Sequence, residues 1–339
     1  QDFEKDFARY LGVGFCTGVA NGTDAIEIAL LALGVTPGDL VATVSHTAVA
    51  TVNAIVSAGA QPLWVDIDPL TGLMSLNDLE QKIIDLTKTP NRARLRGIVI
   101  VHLYGNPVDL RRARAIADAH QLFLLEDCAQ AHGARFDDLM VGSIGDGSCF
   151  SFYPTKNLPA LGDAGAVVTN SSELNEKISM LRQYGWRERY VSEIHGKNSR
   201  LDPIQAIVLK YGLAKIDERN ARRRDLAASY LSSLQNLKTI TALSITPTAY
   251  HVFHQFVIKT KFRDELKDFL YESGVSTLIH YPRPVHSQAG YQNFSNGLPL
   301  PVSDSFANQI LSLPMFPQLA QHHVEFIVTK LVEFDRQHA

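Results

Sequence analysis

At 339 residues, with 45% hydrophobic and 20% charged side chains and a net charge of −3, the chain can bury a sizeable core and is expected to form one large and one smaller domain. This balance excludes a disordered tail and leaves no basic footprint for nucleic acid; the densest basic stretch, 219–224, reads as a solvated helix face. No apolar run approaches a membrane span, and Cys16, Cys128 and Cys149, without CxxC spacing, read as reduced thiols of a cytoplasmic protein.

The first residues, QDFEKDFARY, set Phe3, Phe7, Tyr10 and Leu11 on one helix face, and the chain opens so abruptly inside this pattern that residues upstream are expected. Helical spacing follows at 23–33, 76–86, 110–120 and 174–184, with Thr23, Asn77, Asp109 and Ser172 near the starts as caps. Apolar β-rich runs at 41–45, 63–66, 98–103, 122–126, 149–153 and 166–169 read as strands. The alternation predicts a largely parallel sheet with helices on both faces. A long helical region over 203–234 then leads into a second unit, with strands at 253–259 and 276–280 around a helix starting near Arg263. The predicted domains are 1–214 and 215–339.

Two motifs carry chemistry. In FLLEDCAQAHG an apolar strand ends in Glu126 and Asp127, so Asp127 lies beyond a strand's carboxyl end, where open α/β sheets bind ligands. In SFYPTKNL another strand ends at Ser151 and delivers Lys156 into a turn. Together they suit pyridoxal-phosphate (PLP) chemistry: a carboxylate keeps the pyridine nitrogen protonated, and a primary amine forms the Schiff base and moves protons at the substrate carbon. In VANGTDAIEIAL, Gly22 and Thr23 precede a helix whose amides and dipole would hold a phosphate. Each signal alone has an ordinary reading: a surface lysine, a carboxylate capping a turn, an N-capped helix, a strand serine. Paired histidines at 251 and 254, or 280 and 286, lack a closed ligand set at metal-site spacing, so metal catalysis is rejected.

Further ordered segments, among them NGTDA, VHLYGNPVDL, EDCAQAHGA, SFYPTKNL, GDAGAVVTN, GKNSRLD, IHYPRPVH and LSLPMFP, resemble the DegT family of sugar-nucleotide aminotransferases across nearly the whole chain. The resemblance implies an α/β fold of the aspartate-aminotransferase type (PLP fold type I). Its large domain has a mostly parallel mixed sheet flanked by helices, and its smaller C-terminal domain is α+β. It also implies a homodimer with active sites at the subunit interface. Position by position, Lys156 matches the Schiff-base lysine, Asp127 the partner of the pyridine nitrogen, and Gln130 the residue near the ring hydroxyl. Gly22, Thr23, the Asp24 backbone and Ser151 match the phosphate cup, and Asn198 an asparagine reaching the phosphate from the neighbouring subunit. Arg200 matches a position that meets a carboxylate of the amino donor. Tyr184, Trp186 and Tyr190 are candidates for the nucleotide, and His280 and Tyr281 for the sugar, although packing explains isolated aromatics as readily.

Some positions depart from the family pattern. In SHTAVAT, Ala48 stands where an aromatic ring often stacks on the cofactor, and His46 reads as packed beneath the site. Pro159 and Ala164 replace usual glycines after the lysine. The resemblance implies a further family segment upstream of Gln1 that helps line the substrate site. SHTAVAT and LRQYGWRERY are similar to the subgroup that aminates the 3-position of dTDP-3-oxo-6-deoxyhexoses, with L-glutamate as the implied donor. The competing functions are a 4-keto-sugar aminotransferase, a sugar dehydratase, whose relatives carry histidine where Lys156 stands, and a non-catalytic sugar-nucleotide-binding regulator.

Overall fold

The structure, a computed structural model, describes residues 1–89, 94–295 and 299–339. In chain order the elements of the first half are α1 (Asp2–Leu11), β1 (Phe15–Val19), α2 (Gly22–Ala32), β2 (Leu40–Val44), α3 (Val49–Ser57), β3 (Gln61–Val65), α4 (Leu76–Thr87), β4 (Leu95–Val101), α5 (Leu110–Ala119) and β5 (Phe123–Asp127). A small hairpin, β6 (Arg135–Phe136) and β7 (Leu139–Met140), precedes β8 (Gly147–Ser151), β9 (Gly165–Thr169), α6 (Ser172–Leu181), β10 (Trp186–Glu188), β11 (Val191–Ser192), α7 (Pro203–Leu213) and α8 (Ile216–Leu234). The chain closes with β12 (Thr241–Ala242), β13 (Ala249–Tyr250), β14 (Phe256–Lys259), α9 (Arg263–Glu272), α10 (Pro301–Ala307), β15 (Ile310–Leu313) and α11 (Gln321–His338).

Seven strands form the central sheet in the order β1-β9-β8-β5-β4-β2-β3. The neighbours from β8 to β3 pair in parallel, and β9 runs antiparallel to both β8 and β1, so the sheet is mixed but mostly parallel, as predicted. Alternate residues of one strand feed different cores: Leu40, Ala42 and Val44 enter one face's cluster and Val41 the other's, the two-residue period of a strand buried on both sides. Amphipathic α1 covers one end. Phe3, Phe7 and Leu11 share a face, Phe7 meets Phe150 edge-on at 4.9 Å, and Gly12 ends the helix at a φ of 73°. Truncating a ring so enclosed as Phe7 to alanine costs about 3–5 kcal/mol.

A separate core joins α8, α9 and α11 to the antiparallel sheet β12-β14-β15 through Tyr230, Phe256, Leu266, Leu311 and Leu331.

Several sequence expectations need correction. The caps of α2, α4 and α6 are Asn21, Ser75 and Ser171, one or two residues before Thr23, Asn77 and Ser172; only Asp109 caps where predicted. The helical region over 203–234 is two helices broken at Ala214 and Lys215. The break turns Asn220 and Arg223 inward. Arg223 is therefore buried, donating to the Phe253 and Met315 carbonyls, so the basic stretch is not wholly a solvated face. The strand expected from 253 begins at Phe256, because Phe253 has a φ of 44° and cannot extend the ladder. The expected strand at 276–280 is a single bridge between the exposed Leu278 and Ser312.

Candidate active site

Three chain segments meet at the carboxyl edge of the sheet. β5 delivers Asp127, β8 delivers Ser151 and the turn to Lys156, and the amino end of α2 lies across them. Gly22, Thr23, Asp127, Gln130, Ser151 and Lys156 line one cleft of about 250 Å³. Its floor requires glycine: a Cβ at Gly22 would stand 2.5 Å from Ser151 Cβ, and one at Gly165 on β9 would stand 2.3 Å from the Asn21 carbonyl oxygen. The first-turn amides of α2 have no intrahelical acceptor. Asn21 Oδ1 takes that of Asp24 at 2.8 Å, while Gly22 and Thr23 face the cleft.

Asp127 is buried, and both its oxygens are held. Oδ2 accepts from Thr51 Oγ1 at 2.7 Å, and Oδ1 accepts from the Ala129 amide at 3.1 Å. Adjacent Glu126 alternates to the other side of β5. It accepts from the amides of Gly142, Ile144 and Gly145, from Ser148 Oγ and from His102 Nε2. Since His102 Nδ1 accepts the Val108 amide at 3.0 Å, its proton lies on Nε2. His102, Glu126 and Cys128 cluster closely enough to suggest a metal, but the histidine nitrogens and the carboxylate are engaged in this hydrogen-bond set.

Lys156 sits in a turn closed by its own amide, which donates to the Tyr153 carbonyl at 2.8 Å. Burial pushes its amine below the ordinary lysine range, against the opposing pull of the Asp127 carboxylate. The following residue anchors the turn. Buried Asn157 donates through Nδ2 to Asn220 Oδ1 at 2.9 Å and to the Val252 carbonyl at 3.2 Å, and Asn220 donates to the His132 carbonyl. Farther along, the Ala160 amide reaches the Phe152 carbonyl at 2.7 Å and the Phe152 amide reaches the Ala164 carbonyl at 2.8 Å, so Pro159 and Ala164 are accommodated in a closed loop.

Gln130 is fixed at both ends: Oε1 accepts the Tyr104 amide at 2.6 Å, and Nε2 donates to the Tyr281 hydroxyl at 3.1 Å. Burial pushes that phenol up to about 12, against the hydrogen bond from Gln130. His46 is buried. The Tyr104 hydroxyl donates to the His280 carbonyl, so it accepts from His46 Nε2 at 2.8 Å, and burial holds the His46 ring neutral by lowering its pKa to about 3. Ala48, at the amino end of α3, offers the cleft a methyl group and no ring.

Other predicted residues stand outside the cleft. The Asp24 carboxylate pairs with Lys197 at 3.0 Å. Asn198 and Arg200 are exposed; Asn198 bridges to Gln183, and Arg200 lines a groove against α1. Tyr184 is exposed and packs on Trp186, which packs on Tyr190. His280 lines a neighbouring cleft with Thr155. Sequence reasoning missed Asn21, Thr47, Thr51 and Thr155. The signal for Thr47 and Thr51 was present in SHTAVAT, where they stand four residues apart, and their hydroxyls are 3.1 Å from each other.

A sheet-edge aspartate, a desolvated lysine and a glycine-floored helix terminus define the site of a PLP-type aminotransferase. The model of the DegT/DnrJ/EryC1/StrS aminotransferase family matches residues 1–332, and the chain belongs to that family. It is 44% identical over 321 residues to the dTDP-3-amino-3,4,6-trideoxy-alpha-D-glucose transaminase of Streptomyces venezuelae, covering 94% of this chain and 82% of that protein. It is 43% identical over 332 residues to the erythromycin biosynthesis sensory transduction protein EryC1 of Saccharopolyspora erythraea, covering 97% of this chain and 88% of that one. Among solved structures, S. venezuelae DesV in complex with a ketimine intermediate superposes with a TM-score of 0.93 at 42% identity, over 98% of this chain and 88% of DesV.

The cofactor is pyridoxal 5'-phosphate. The residues fit it: the Gly22 floor that a Cβ would fill faces Ser151, and a buried carboxylate and an amine share the same cleft. Among the described residues, no helix is long and apolar enough to cross a membrane.

Proposed function

We propose that the chain transfers an amino group from L-glutamate to the 3-position of a dTDP-3-oxo-6-deoxyhexose, in the cytoplasm and as a homodimer. The observation that carries the chemistry is the meeting of Asp127 and Lys156 in one cleft beneath the start of α2. The substrate reading is supported by the 44% identical transaminase from Streptomyces venezuelae, whose name specifies a dTDP-3-amino sugar.

Bound PLP supplies an electron sink that stabilises negative charge at the carbon bearing the nitrogen. The Gly22 and Thr23 amides and Ser151 Oγ would hold its phosphate. Asp127, oriented by Thr51 and the Ala129 amide, would pair with the pyridine nitrogen and keep it protonated. Lys156, pushed toward its neutral form by burial, carries the cofactor, then takes a proton from the donor carbon and returns one to the sugar carbon. Gln130, held by Tyr104 and Tyr281, would lie beside the ring hydroxyl.

The domain division at 214/215 is supported by the break between α7 and α8 and by the C-terminal core. The dimer reading rests on a face of α7. Ile204, Ile207 and Tyr211 are each more than 60% exposed, beside exposed Leu161, whose amide donates to Gln205 on the same helix. A second copy covering that face would meet the loop that follows Lys156, and Asn198 and Arg200 would serve the cleft of the other copy, Asn198 at the phosphate and Arg200 at a donor carboxylate. Tyr184 is assigned to the nucleotide, and His280 and Tyr281 to the sugar.

The test is an absorbance cycle on the PLP-loaded protein. Glutamate should remove the band of the lysine-bound cofactor, the dTDP-3-oxo-6-deoxyhexose should restore it, and Lys156→Ala should lack it. If glutamate converts the cofactor but that sugar does not restore it, the substrate assignment falls. If no band forms at all, the catalytic reading falls to the regulatory one that the name of the Saccharopolyspora relative suggests.

A further inference from the structure

Among the described residues, no hydrogen bond or salt bridge holds the Lys156 amine, and the Asp127 carboxylate acts on it only through its field. Where the amine points therefore depends on the turn that carries it. The residues that follow Lys156 tie that turn to the helices on either side of the break at Ala214 and Lys215.

A Cβ at Gly212, near the end of α7, would stand 3.0 Å from Leu158 Cδ1, so Leu158 lies directly against that helix backbone. Asn157 reaches α8 instead. Its Nδ2 donates to Asn220 Oδ1 at 2.9 Å and to the Val252 carbonyl at 3.2 Å, and with the nitrogen spent its Oδ1 accepts from His254 Nδ1 at 3.1 Å. Asn220 donates in turn to the His132 carbonyl at 2.8 Å, on the segment that leaves β5 after Asp127. A Cβ at Gly133 would stand 2.7 Å from Asn220 Nδ2, so a glycine beside His132 is what lets the amide approach.

Both asparagines are buried, Asn157 at 4% and Asn220 at 0% exposure, and the nitrogen and oxygen of each side chain have partners. A satisfied buried network fixes direction as well as distance, which an apolar contact of the same volume does not. Neither asparagine lines the cofactor cleft or the cleft beside it, so their effect on chemistry passes through the backbone.

We propose that Asn157 and Asn220 are positioning residues for proton transfer by Lys156. The bridge from Asn157 through Asn220 to the His132 carbonyl fixes the lysine turn against the segment that carries Asp127, and the amine stays aimed at the substrate carbon in both half-reactions. The assignment rests on the aminotransferase reading and deepens it. Since the bridge lies away from the clefts, its loss slows proton movement and leaves substrate binding as it was.

The experiment follows each half-reaction in single turnover on the PLP-loaded protein, with glutamate and then with a dTDP-3-oxo-6-deoxyhexose, and follows hydrogen exchange by mass spectrometry on the apoprotein. Asn220→Ala should slow both half-reactions by about tenfold to a hundredfold, the cost of a reacting group displaced by about 1 Å, at unchanged half-saturating concentrations. The slowed reaction should show a full primary isotope effect with glutamate deuterated at its α-carbon. In the apoprotein, exchange over 153–158 should quicken by about tenfold, the loss of one neutral hydrogen bond, while β4 and β5 keep their protection. Asn157→Ala breaks the bridge from the turn and should repeat these results, which covers the case in which Asn220→Ala fails to fold. The double variant should lose no more rate than the slower single one.

Wild-type rates, or raised half-saturating concentrations at an unchanged rate, overturn the proposal. So does a slowed reaction without an isotope effect, or exchange that quickens throughout the chain, which marks a loss of stability alone. If glutamate fails to convert the wild-type protein, the aminotransferase reading falls and this assignment with it; a wild-type protein that converts alongside undisturbed variants removes the assignment alone.

Discussion

The Thr51 hydroxyl donates to Asp127 Oδ2 at 2.7 Å, joining the first helical turn after β2 to the carboxylate at the end of β5. Hydrogen bonds to a buried charged group contribute about 1.5–3 kcal/mol. Thr51→Val keeps the shape and removes the donor, and is expected to slow the glutamate half-reaction by roughly tenfold or more, with Thr51→Ser near wild type. Stopped-flow absorbance on the loaded protein checks both.

Gly22→Ala places a methyl 2.5 Å from Ser151 Cβ, so α2 must shift away from the phosphate seat. Such overpacking costs about 1–3 kcal/mol, and PLP affinity measured by titration of the apoprotein is expected to fall by about tenfold or more. If Gly22→Ala binds PLP as the wild type does, the phosphate is seated elsewhere.

Burial lowers the Lys156 pKa from 10.5. Between the folded value and 10.5 the unfolded chain binds more protons, so this group's penalty on stability is full below the folded pKa and is relieved as pH rises toward 10.5. Lys156→Met should therefore raise the melting temperature of the apoprotein at pH 7, with the gain shrinking at alkaline pH, while abolishing transamination. A melting temperature that falls at pH 7 would mean that the lysine makes a net stabilising contact.

Glu126 is a buried carboxylate. Burial alone would raise its pKa, but His102 and the Gly145 and Gly142 amides outweigh it and lower it below 4.5. Its contribution is thus full above 4.5 and lost as pH falls through the lower, folded value. Glu126→Gln sets an amide N–H against these donors and is expected to cost about 3–5 kcal/mol at pH 7 in urea unfolding, with a shallower acid dependence than the wild type. Equal unfolding midpoints would show that the loop over 142–145 is held by other contacts.

The sequence alone determined the chemistry at the sheet edge and the alternation of strands and helices. Asp127 and Lys156 each follow an apolar run at the end of a parallel strand, and backbone periodicity carries that information locally. Helix starts were less legible, because Thr23 and Ser172 have capping side chains but the caps formed at Asn21 and Ser171, where the backbone turns in. The inward turn of Arg223 was hidden for a similar reason: a basic stretch reads as solvated until a helix break rotates one member onto the carbonyls of another segment. Only the tertiary structure brought Thr51 to Asp127 across 76 positions and Asn157 to His254 across 97. It also set Asn198, Arg200 and Tyr184 outside their own chain's cleft, since long-range contacts depend on how whole elements pack.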